Sequence, residues 1–143
     1  MTRQTIEQRR AASAWAAVND AARDKGVFKK YEPLVQGAPV SIRTAGFGQT
    51  LAFYHSRPNE RREYKLLADQ LAAWILRESR EAPPDPTKTL DDLMNAIIAQ
   101  ATSTEDYRRM MVEALAYLAW LKRFAAGRKS TRKENGPEET SAS

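Results

Sequence analysis

The chain has 143 residues, which fits one domain able to bury a sizeable core. It has no cysteine and a single histidine, His55, so disulfides and thiolate chemistry are excluded, and little remains for a histidine metal site or a catalytic triad. The net charge of +5 is uneven: residues 1–80 carry 14 Lys/Arg against 8 Asp/Glu, residues 81–127 carry 5 against 7, and residues 128–143 carry 4 against 3.

Apolar residues recur at helical spacing, and no long segment alternates with period two. The first helix is expected from Ile6 to about Asp24, opened by a Thr5/Gln8 capping box and stopped at Gly26. Its stripe is Ala11, Ala14, Trp15, Val18 and Ala22. Residues 27–57 read as a broken helical stretch, because Pro33 and Gly37 oppose a long helix. Pro39 suits the start of a short piece ending at Gly46, and Phe47 to Ser56 makes another. A clean amphipathic helix spans about 59–79, with Tyr64, Leu67, Ala68, Leu71, Trp74 and Ile75 inward. Pro83, Pro84 and Pro86 make 80–88 an extended loop. Thr89 with Asp92, and Ser103 with Asp106, open the last two helices, the final one ending at Gly127. That last helix is apolar nearly all round and so central, and Lys122 and Arg123 suit its C-terminal end. The expected fold is all-α: a compact bundle of about six helices in one domain, 1–127, with a disordered polar tail, 128–143.

Enzyme motifs are missing. No Gly-rich loop ends in Lys-Ser or Lys-Thr, and no HExxH occurs. The acidic pairs Asp91/Asp92 and Glu105/Asp106 sit at helix starts, where they complement the dipole. Neither catalytic residues nor a cofactor or metal site is expected. No run approaches the roughly 18 uninterrupted apolar residues of a membrane span, and the N-terminus lacks a signal-peptide pattern.

The basic residues carry the functional signal. Lys29, Lys30, Arg43, Arg57, Arg61, Arg62 and Lys65 face only Glu32, Glu60 and Glu63 as opposing charges in their window. If the broken stretch packs on the 59–79 helix, they form one positive surface for phosphates, bound without reading bases. The alternative is a solvated helix face laced with Glu/Arg pairs. Arg108 and Arg109 lie at the start of the last helix, where positive charge is unfavourable. They await either Glu105 and Asp106 or an anionic partner. The aromatics Trp15, Trp74, Trp120, Phe28, Phe124 and Tyr64 are assigned to the core, while Phe53 and Tyr54 flank the Leu51 face.

The stretch Gly46-Phe47-Gly48-Gln49-Thr50-Leu51-Ala52-Phe53-Tyr54 resembles the central signature of the small helical subunit of the Cmr complex, the type III-B CRISPR effector. Gln8-Arg9-Arg10-Ala11 with Trp15 and Val18 is similar to that family's first helix, and the run from Ala114 to Ala125 to its last. Phe47 departs from the aliphatic residue expected between the glycines, and the proline loop and tail look longer than the family requires. The resemblance implies a cytoplasmic, non-catalytic bundle in an antiviral ribonucleoprotein. There, copies would stack into a short filament beside the backbone subunits and line the path of CRISPR RNA and target RNA. It transfers a core motif to Gly46, Gln49, Thr50, Ala52 and Phe53, but no RNA-contact residue. The rival reading is a purely structural adaptor whose basic surface meets acidic protein.

Overall fold

The computed structural model describes residues 4–135, with side chains described through Thr131. Six helices account for the fold: α1 Ile6–Ala21, α2 Lys25–Ala45, α3 Phe47–His55, α4 Arg62–Ile75, α5 Leu90–Ile98 and α6 Thr104–Asn135. No strand occurs among the described residues. The long α6 is the spine. It packs on α1, α2 and α4, while α3 and α5 close the far side of α4.

Capping chemistry sets the helix starts. The Gln8 N–H donates to Thr5 Oγ1 at 3.0 Å, and Gln8 Oε1 accepts from the Thr5 N–H at 2.7 Å. Asp106 and Ser103 reciprocate in the same way at α6. At α5, Asp92 reaches back to the Thr89 N–H (2.9 Å) and Asp69 of α4 takes the Leu90 N–H (2.8 Å).

Three expectations fail here, each for a local reason. Gly26 does not stop α1, which ends at Ala21; Asp24 instead caps α2, accepting from the Val27 N–H at 3.1 Å, so Gly26 lies in the first turn of α2. Residues 27–45 are not broken, because α2 runs unbroken through Pro33, Gly37 and Pro39. Its apolar stripe of Phe28, Tyr31, Val35, Ala38 and Ile42 is buried against α3, α4 and α6, and that tertiary packing offsets the proline cost of about 3 kcal/mol. Gly127 does not end α6, which continues to Asn135. The continuation is tethered: Arg128 donates to Asn19 Oδ1 (2.6 Å), and Lys129 lies 3.5 Å from the buried carboxylate of Glu32. The rest of the proposed tail, 136–143, lies outside the described residues.

The core is continuous across all six helices. Trp74 stacks on Tyr117 with centroids 5.3 Å apart and planes 7° from parallel. The Tyr31 hydroxyl donates to Gln70 (2.6 Å), and Gln70 passes a bond to the Ala17 carbonyl. Arg10 grips the Glu113 carboxylate with two nitrogens at 2.6 and 2.8 Å, and Trp74 Nε1 adds a third donor at 2.7 Å. Trp15 corrects the core assignment. Ala14, Val18 and Ala21 face inward, so Trp15, one position round, stands 57 % exposed, edge-on to Phe124.

The glycine signature joins α2 to α3. Gly46 takes φ +99°, a conformation that side chains disfavour, and open space surrounds it. Its carbonyl accepts from both the N–H and the hydroxyl of Thr50. Phe47 is fully buried, and the free Gly48 N–H donates to the Tyr107 hydroxyl of α6 at 3.0 Å. The bend sets α3 against α4 and α5.

Candidate nucleic-acid interface

The end of α3, the turn after it, the first half of α4 and the start of α5 enclose a groove of about 580 Å³. Arg57, Arg61, Arg62 and Lys65 all line it. The structure therefore gathers four of the nine basic residues that sequence singled out.

Three of those four already hold carboxylates. Arg61 Nε lies 2.9 Å from Glu63, Arg62 is 3.2 Å from Asp24 at the start of α2, and Lys65 is 2.6 Å from Asp69. Glu63 is almost wholly buried; Asp24 is exposed, and its carboxyl is held below the ordinary aspartate range first by the Val27 N–H and then by Arg62. The Glu/Arg pairing that sequence offered as the alternative is met by Arg61–Glu63, and Lys65–Asp69 is a four-apart pair on one helix. Asp24 comes from a distant element, and a burial that traps Glu63 has no sequence signature.

Arg57 differs. Its guanidinium lies 5.2 Å from the Phe53 ring centroid and 5.3 Å from that of Tyr64, and it has no carboxylate partner among the described residues. Cation–π contact holds it without neutralising it. Beneath, the Tyr54 hydroxyl and Arg57 Nε are enclosed without hydrogen-bond partners, and burial pushes the Tyr54 hydroxyl up to about 12. His55 Nε2 approaches Asp91 at 3.3 Å across the groove, a pairing of α3 with α5 that sequence missed.

The remaining five residues do not join this groove. Arg43 lies with Gln36, Lys122 and Arg123 in a shallower hollow of about 390 Å³ between α2 and α6. Arg109 lies with Arg77 and Arg80 in a third hollow, where it pairs with Asp106 at 3.1 Å. Lys29, Lys30 and Arg108 are exposed and belong to none of these three. These three hollows together take in six of the nine basic residues. Among the described residues no group of three His, Asp or Glu side chains is arranged to hold a metal ion, and no helix is long and apolar enough to cross a membrane.

Residues 6–128 match the family model Cas_Cmr5, described as a CRISPR-associated protein. The chain belongs to the Cas_Cmr5 family. It is 33 % identical over 119 residues to the CRISPR system Cmr subunit Cmr5 of Thermus thermophilus, an overlap of 80 % of this chain and 88 % of that one. A crystal structure of a CRISPR-associated Cmr5 family protein from Thermus thermophilus superposes with a TM-score of 0.68 at 31 % identity, covering 87 % of this chain and 97 % of that one. The Cas_Cmr5 match ends at residue 128, whereas α6 continues to Asn135. The stretch Gly46 to Tyr54 lies within the matched residues and forms the α2–α3 junction and α3, whose Tyr54 lines the groove.

Proposed function

We propose that this chain is a non-catalytic, cytoplasmic small subunit of the type III-B Cmr complex. It stacks with copies of itself beside the backbone subunits and holds the CRISPR RNA/target RNA duplex by its phosphates. Family membership supports the placement. The observation that carries the RNA role is the convergence of Arg57, Arg61, Arg62 and Lys65 on one groove. Their ion pairs do not block the role. Exposed pairs such as Arg62–Asp24 are worth about 0–1 kcal/mol, so a phosphate can displace the carboxylate. Arg57 needs no displacement and makes the first contact. Such contacts orient RNA without reading its sequence.

The test replaces Arg57, Arg62 and Lys65 by glutamine in the assembled complex. Arg61 is spared because its loss would strand the buried Glu63. Target-RNA affinity should fall, and the slope of log K against log salt should shrink by about 3, from roughly 0.9 per duplex contact. The competing reading, a structural adaptor without RNA contact, draws on the carboxylates already paired across the groove. Unchanged affinity and slope would favour that reading.

A further inference from the structure

Lys122 and Arg123 look at first like ordinary helix-ending cations. The structure removes that explanation. α6 runs on to Asn135, about three turns further, and a helix dipole stabilises charge only within the last turn. Neither residue forms an ion pair among the described residues, and neither does Arg43.

The three meet across two facing stripes. On α2 the stripe is Gln36, Pro39 and Arg43, and on α6 it is Leu115, Ala119, Lys122, Arg123 and Ala126. Among the described residues no carboxylate lines the hollow between them. Gln36 Nε2 donates to the Lys122 carbonyl at 2.9 Å, and Lys129 meets Glu32 further along. These two links fix α2 and α6 antiparallel, so the cations sit on a rigid frame.

We propose that the α2–α6 hollow is a second phosphate-binding track, separate from the α3–α4 groove, that engages a nucleic-acid backbone through Arg43, Lys122 and Arg123. The inference rests on the RNA role proposed above and adds a site to it. Three cations with no acid beside them among the described residues carry charge that water and mobile anions screen. A strand of phosphates releases those ions, and this is the driving term for backbone binding. An acidic protein segment would find the same charge. The floor, however, offers only Leu115, two alanines and Pro39, with no aromatic or large apolar pocket to seat a side-chain anchor of the kind that dominates protein interfaces.

The full-length chain is titrated with single-stranded oligouridylate by NMR, and salt dependence is followed by fluorescence anisotropy. Three forms are compared: unaltered protein, Arg43→Gln/Lys122→Gln/Arg123→Gln, and Arg57→Gln/Arg62→Gln/Lys65→Gln. The first variant should lower the salt slope by about 2 and abolish the shifts at the hollow, while those at the α3–α4 groove persist. Arg43→Lys/Arg123→Lys should keep the slope, because phosphate contact here needs charge and not a guanidinium fork. An unchanged slope in the first variant, with loss only in the second, would overturn the second track and leave the α3–α4 reading standing. Loss in neither variant would overturn both. Polyglutamate binding as tightly as oligouridylate, through the same three residues, would also overturn the proposal. Unaltered circular dichroism and melting confirm that the effects are not those of unfolding.

Discussion

The α3–α4 groove and the α2–α6 hollow are built on opposite plans. The α3–α4 groove brings four cations together and matches three of them with carboxylates, two of which come from the same helix and one from the start of α2. The α2–α6 hollow brings three cations together and, among the described residues, matches none. Counting arginines along the chain ranks the first far above the second; counting net charge in space reverses the order. A cluster of like charges in sequence invites compensation by the fold, whereas cations from two separate helices can meet uncompensated.

The largest effect sets the scale for what a carboxylate partner is worth. Arg10 and Glu113 form a pair inside the bundle, with side chains only 15 % and 21 % exposed. Glu113→Ala would leave the Trp74 indole N–H without its acceptor and Arg10 with Glu7 alone, and should cost about 2–3 kcal/mol, read from chemical denaturation. Asp69→Asn, in the exposed pair with Lys65, keeps an acceptor for Leu90 and should cost well under about 1 kcal/mol. Comparable losses in the two variants would mean that groove pairs are locked, and phosphate could not displace them.

Next in size is the hinge. Gly46→Ala places a side chain at φ +99° and ψ 155°, a region essentially reserved for glycine, and should cost about 1–3 kcal/mol through backbone strain alone, since no neighbour lies within 4 Å of the added carbon. Hydrogen exchange should accelerate in α3 and at the Gly48 amide held by Tyr107, and stay unchanged along α2 residues 32–43 facing α6. Equal acceleration in both regions would show that the two hollows are not mechanically separate.

The general plan was legible in the chain because it rests on periodicity and caps. The Thr5/Gln8 and Ser103/Asp106 boxes mark real helix starts, and the Gly46 signature marks a real bend. What escaped was anything decided by a partner distant in sequence. Pro33 and Pro39 stay helical because of what α2 packs against, and Gly127 is passed over while the residues after it reach Asn19 and Glu32. Lys122 and Arg123 were discounted through the same error, since their bland explanation required the helix to end beside them. Trp15 reads as core from its letter, yet a rotation of one residue puts it outside.

The smallest effect separates the hollows by acid. Asp24 has a folded pKa below its ordinary value of 3.8, owing first to the Val27 N–H and then to Arg62. A carboxylate with a depressed pKa stabilises the fold above its unfolded value, and that contribution is lost as pH falls through the folded value. Burial would raise Glu113, but hydrogen bonds from Arg10 and Trp74 reverse this and leave it below its ordinary 4.5, so its contribution fades on the same acid side. Thermal melts from about pH 7 down to about pH 3 should therefore show a declining acid limb. Asp24→Asn should make that limb shallower without removing it, because one titrating group is gone while its capping oxygen remains and Glu113, Asp85 and Asp106 still titrate. Arg43→Gln/Lys122→Gln/Arg123→Gln removes no carboxylate and breaks no ion pair, so the limb should keep its shape and at most shift slightly upward as net positive charge is relieved. A limb flattened by the second change and untouched by the first would mean that carboxylates govern the α2–α6 hollow after all, and the contrast between the two hollows would fail.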